Sequence, residues 1–109
     1  MIYHVARHAD WHDAIVSGEY RVSTLGLTLD EVGFIHASSL EQVAGTAERF
    51  YRDEPGDLVV LVIDDDGLDV RHEGTDETFP HVYGPLPVAA VKRVIPVWFE
   101  DDGGFVFEP

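Results

Sequence analysis

The run Leu58-Val59-Val60-Leu61-Val62-Ile63 restricts the possible folds of this chain more than any other feature. Four of its six residues are β-branched, which favours extended backbone. It has no polar face, so both sides of the strand must be covered, as happens to a strand in the middle of a sheet. Six residues are too few to cross a bilayer as a helix, and no membrane role is expected. The chain has 109 residues, which suits one domain spanning residues 1–109 with one central sheet.

The remaining elements are read around that strand. Residues 2–6, 20–23, 33–37, 88–94, 97–99 and 105–107 are strand-like. Asp66-Gly67 is a turn signal that predicts a hairpin, with residues 68–72 returning against the apolar run. Two short helices are predicted. In the first, Asp10 caps residues 11–17 and Gly18 provides a left-handed stop. In the second, Ser38 and Glu41, or alternatively Ser39 and Gln42, form a capping box ahead of Leu40, Val43, Ala44, Ala47, Phe50 and Tyr51 at helical spacing. Residues 25–32 read as an irregular connection rich in Gly and Leu. The order predicts an α+β fold with two short helices on one side of a strongly bent sheet.

Charge and cysteine content narrow the function. Lys and Arg number 7 against 21 Asp and Glu, a net charge of −14. The acids cluster between apolar runs, where solvated loops belong. Such a surface repels phosphate backbones, and there is no basic stripe, so no nucleic-acid partner is expected. Hydrophobic residues make up 45% of the chain, which argues for a folded domain despite the charge. Cysteine is absent, which removes disulfides and thiolate chemistry and fits a cytoplasmic location. Residues 1–7 form no secretory signal.

Candidate site residues come from three places. His4 is a polar residue inside the first strand; taken alone, it reads as a surface position on an edge strand. His36 lies in Gly33-Phe34-Ile35-His36-Ala37-Ser38, between an apolar strand and a helix start, where side chains enter crevices. It reads either as a ligand contact or as a half-buried histidine bonded to a backbone carbonyl. Phe79-Pro80-His81-Val82-Tyr83-Gly84-Pro85 is the most unusual stretch: two prolines and a glycine restrict the backbone, and His81 and Tyr83 project from one face if it is extended. It reads as a binding loop or as a structural turn. Glu73 ends the strand before it. His8 and His12 are four apart, but no helix start precedes Asp10, so they form no expected metal face. There is no phosphate-binding loop, dinucleotide fingerprint or nucleophile elbow.

Together these residues resemble a family of small bacterial proteins known as domain of unknown function 952. The resemblance runs through Ile2-Tyr3-His4, Trp11, Gly18-x-Tyr20, Gly33-Phe34-Ile35-His36-x-Ser38 with Gln42, Ile63-Asp64, Glu73 and Phe79-Pro80-His81-x-Tyr83-Gly84-Pro85-Leu86, over nearly the whole chain. That family is similar in fold to ADP-ribosyltransferases, which split NAD in a cleft. The resemblance implies a bent, split, mostly antiparallel sheet. Tyr3-His4-Val5 resembles the ribose-binding histidine motif of those enzymes, and Gly33–Ser38 resembles their strand that leads through a serine into a helix. His4 is not followed by Gly, Thr46 or Ala47 stands where an aromatic partner is expected, and no Gln/Glu-x-Glu motif exists.

The expected function is binding of a small nucleotide or ribose-containing ligand, with NAD a candidate substrate or cofactor. His4, His36, Glu73 and His81 are the expected chemical groups, and Tyr3, Ser38 and Tyr83 the expected ligand contacts. ADP-ribosyl transfer is the reaction that the resemblance implies. A carboxylate near the cationic transition state would suit it. Whether the chain is an enzyme stays open. A non-catalytic ligand-binding module and a metal site built from His4, His36, His81 and Glu73 are the alternatives.

Overall fold

The computed structural model describes residues 1–109. The strands are β1 (Ile2–Arg7), β2 (Glu19–Tyr20), β3 (Ile35–His36), β4 (Leu58–Ile63), β5 (Val70–Glu73), β6 (Phe79–Val82), β7 (Leu86–Pro87), β8 (Val91–Phe99) and β9 (Phe105–Val106). The helices are α1 (His8–Ser17), α2 (Leu29–Val32) and α3 (Val43–Phe50), with a single 3₁₀ turn at Val88–Ala90. The fold is α+β, and its strand pairs are antiparallel. They form a four-stranded sheet in the order β1-β4-β8-β9, a three-stranded sheet β3-β6-β5 and a pair β2-β7. No helix is long and apolar enough to cross a membrane.

The apolar run is β4, lies between β1 and β8, and is buried at all six residues. Its alternation feeds two apolar clusters, one on each face. Val59, Leu61 and Ile63 join Ile2, Ala6, Trp11, Tyr20, Ile35 and Val82. Leu58, Val60 and Val62 join Val5, Val43, Ala47, Tyr51, Ile95 and Val97. Each face needs its own cover, so the helices divide: Trp11 and Ala14 of α1 pack on the first cluster, and Val43 and Ala47 of α3 on the second. The expectation of helices on one side is thereby corrected.

Four other expectations are corrected. There are three α-helices, not two: Thr28 caps α2, accepting from the Glu31 amide while the Glu31 carboxylate accepts from the Thr28 amide. Helix α1 starts at His8, and Asp10 pairs with Arg7 instead of capping. Gly18 does end that helix, in the left-handed conformation with φ 93°. Helix α3 starts at Val43, because residue 38 is taken by a backbone bridge in which Tyr3 and Ser38 exchange both N–H···O bonds. Finally, β5 pairs with β6, not with β4, whose two sides are already filled by β1 and β8. Residues 79–82 are therefore a strand, with Pro80 buried in the middle of the small sheet and its carbonyl accepting from the Ala37 amide.

Candidate functional site

The three-stranded sheet positions the site. Ile35 of β3 and Val82 of β6 pair and join the core, so their neighbours His36 and His81, also paired, face outward. Arg71 of β5 continues the same row, and Phe79 with Glu73 forms the next one. One sheet face thus carries two imidazoles, a guanidinium, a carboxylate and a phenyl ring.

These groups hold one another. Glu73 accepts from the Tyr83 hydroxyl at 2.5 Å and from His81 Nδ1–H at 2.9 Å through the same oxygen. Both bonds stabilise the charged carboxylate, Tyr83 first and His81 second, and hold the Glu73 pKa below its usual value. The same bond raises the Tyr83 pKa, because ionising the phenol would break it. The Arg71 guanidinium lies 4.1 Å from the Tyr83 ring centre. Phe34 stacks on His81 with centroids 3.9 Å apart and planes 11° apart. With Nδ1–H committed to Glu73, the ring of His81 is held in one orientation and Nε2 is the nitrogen left for a ligand.

His36 lies beside it, with ring centroids 5.4 Å apart, and also borders Phe79 at 5.1 Å. Burial lowers its pKa to about 4, with repulsion from His81 a second cause, so it is neutral at pH 7. Its Nε2 is buried without a hydrogen-bond partner. Its ring forms part of the wall of two cavities. One, of about 230 Å³, is polar and runs along α3 past Gln42, Thr46, Arg49 and Phe79. The other, of about 330 Å³, is apolar and is lined by Leu25, Leu27, Val32, Phe34 and Phe50.

His4 is placed differently. It is 2% exposed and both ring nitrogens are used. The His36 carbonyl can only accept, so Nδ1 carries the proton; the neutral ring then accepts from the Tyr20 hydroxyl at Nε2, 2.9 Å away. Desolvation lowers its pKa to about 4, consistent with that neutral form. Ser38 is 2% exposed and hydrogen-bonds the Thr46 hydroxyl at 3.1 Å. Tyr3 packs edge-on to Phe107 at 6.2 Å, among the cluster on the other face of β4 from His4. The structure therefore brings together His36, Glu73, His81 and Tyr83. His4 and Ser38 lie buried behind them, and Tyr3 lies elsewhere.

No three His, Asp or Glu side chains are arranged to hold a metal ion, so the four-residue metal alternative does not assemble. His8 and His12 do share a helix, with rings stacked at 6.5 Å. Sequence reasoning passed over Phe34, Phe50, Leu25 and Leu27 as site residues. Phe34 stands beside His36 in its motif, and Phe50 falls in the apolar periodicity of α3; no pattern in the sequence marks the two leucines.

The chain is similar to protein CC0527 from Caulobacter crescentus. Its crystal structure has a TM-score of 0.82 at 31% identity, covering 96% of this chain and 92% of that chain. Its solution NMR structure has a TM-score of 0.74 at 30% identity, covering 94% and 89%. No curated protein matches this chain. The profile of the family described as protein of unknown function (DUF952) matches residues 5–94. With most of its length matched, the chain belongs to that family.

Proposed function

We propose that this protein binds a small ribose-containing molecule over the outer face of the three-stranded sheet, with His36 as its polar anchor and the Glu73–His81 pair as the proton-accepting group. The observation that carries this reading is His36 itself, which lines two cavities and has a buried Nε2 without a hydrogen-bond partner. Buried polar atoms are nearly always bonded, so an unpaired one beside two cavities marks a place where a polar partner is missing. His81, oriented by Glu73 and Phe34, stands next to it.

ADP-ribosyl transfer from NAD is the chemical form that the family resemblance suggests. It is supported by the Tyr3–Ser38 bridge, which joins the two segments that carry the resemblance. In this reading His4 is a positioning residue, acting on the ligand only through the His36 backbone. Glu73 supplies a negative charge near the cationic sugar, and His81 takes the proton of the attacking nucleophile. The net charge of −14 opposes a pyrophosphate, so NAD binding is expected in the high micromolar range or weaker, about −5 kcal/mol. Titration with NAD, ADP-ribose and nicotinamide, followed by NMR, tests the site. Shifts around His36 and His81 that vanish in His36→Ala support it. Silence from all three ligands at millimolar concentration removes the ribose reading. Release of nicotinamide from NAD, lost in His81→Ala, tests the transfer.

A further inference from the structure

Three large apolar side chains that the core leaves out converge on one place. Leu25 is 42% exposed, Leu27 50% and Phe50 41%. All three line the 330 Å³ cavity that His36 borders. No Asp, Glu, Lys or Arg lines it, although such residues make up 26% of the chain. An apolar cavity of roughly 150 Å³ suffices to hold a benzene ring, and this one is larger.

The backbone beneath these side chains is unusual. Leu25 has φ 52° and is the one non-glycine residue with positive φ. A leucine in this region is strained, whereas glycine would not be. The strain does not relax because the turn is tied down: the Leu27 amide donates to the Thr24 carbonyl, and the Ser23 amide to the Leu27 carbonyl. The Leu25 amide itself donates to the hydroxyl of buried Tyr51 at 3.1 Å. What leucine adds here over glycine is an apolar side chain on the cavity wall. Strain of this kind collects where a ligand is held.

We infer that this cavity takes an uncharged apolar group of about one ring in size, so that the ligand at His36 is an amphipathic molecule with a hydroxyl or amide next to that group. The inference deepens the proposed function and rests on its reading of His36 as the polar anchor. A fully polar ligand such as a free sugar phosphate would leave Leu25, Leu27 and Phe50 in water and would gain nothing from them.

Benzyl alcohol is the probe, with glycerol as the polar control, titrated into the full chain and followed by ¹H–¹⁵N NMR. Benzyl alcohol is expected to shift the amides of residues 23–27, Val32, Phe34 and His36, and glycerol at equal concentration is not. Leu27→Asp, at an exposed position, is expected to weaken benzyl alcohol about tenfold or more. Leu25→Gly removes the side chain without adding strain and is expected to weaken it as well. Unchanged affinity in both variants, or no benzyl alcohol shifts at millimolar concentration, overturns the inference. Loss of binding in His36→Ala with full binding in Leu27→Asp also overturns it while keeping the His36 site. Full binding of benzyl alcohol in His36→Ala supports the apolar cavity and instead removes His36 as the anchor.

Discussion

His4 and His36 lie close to the Tyr3–Ser38 bridge, one on each side of it, and burial lowers both pKa values to about 4. Yet their surroundings differ. In the His4 region every ring nitrogen is bonded, to the Tyr20 hydroxyl and the His36 carbonyl. In the His36 region the ring contacts aromatics, borders open cavities and keeps an unbonded nitrogen. The difference shows that a depressed histidine pKa by itself does not separate structure from function. The hydrogen-bond count does, because a satisfied imidazole has nothing left to offer a ligand.

The sharpest way to break this comparison is substitution. His4→Ala leaves the Tyr20 hydroxyl and the His36 carbonyl without their partner in a dry interior, and a loss of about 4 kcal/mol is expected. His36→Ala removes an atom that was unsatisfied, and its packing loss is partly offset, so about 1 kcal/mol or less is expected. Urea unfolding of the two variants measures both. Equal losses would erase the distinction between the two histidines.

Acid tests the same pair more gently. For His4 the unfolded pKa is near 6.5 and the folded value about 4, so between these values the unfolded chain binds more protons. Stability therefore falls as pH drops from about 6.5 to about 4, by about 3 kcal/mol for the fully buried His4 and by less for partly solvated His36. Above that window neither histidine contributes a slope. His36→Ala is expected to keep most of the slope. Its disappearance in that variant would exchange the roles of the two residues.

The smallest effect concerns Ser38. Its hydroxyl bonds Thr46, so Ser38→Ala is expected to cost about 1 kcal/mol by leaving the Thr46 hydroxyl unpaired. Helix α3 should keep its length, because it begins at Val43. Fraying of α3 in the NMR amide shifts of this variant would restore Ser38 as a cap.

Ser38 also shows why some of this molecule was legible in the sequence and some was not. The apolar run was readable as a central strand, since six residues without a polar face have one kind of home. The Ser38-x-x-Glu41 pattern was equally clear locally, but a long-range bridge to Tyr3 used its backbone, and no local signal encodes that partner. Helix α2 is legible in principle: Thr28-x-x-Glu31 is a capping box within the stretch that otherwise reads as an irregular connection. Residues 79–82 were not. Two prolines flank His81-Val82-Tyr83 and argue for a loop, whereas the paired strands β3 and β5 supply the order that makes it a strand. Of the site, His36, His81, Glu73 and Tyr83 were visible as residue types in a restricted backbone. The burial of His4 was not, because it depends on Tyr20 and on a cover of core residues distant in the sequence.

The placement of β4 has a consequence for the order in which this chain can fold. Strand β1 is made first, but its partner is β4, so Ile2 waits for Ile63 and Arg7 for Leu58. Strand β3 waits in the same way for β6, with Ile35 pairing to Val82. Non-local pairing of this kind is slow, because a large loop must close before any contact rewards it. During synthesis from the N-terminus the first half of the chain has no sheet to join. The sheet face that carries His36 and His81 then forms only when residues 79–82 have emerged.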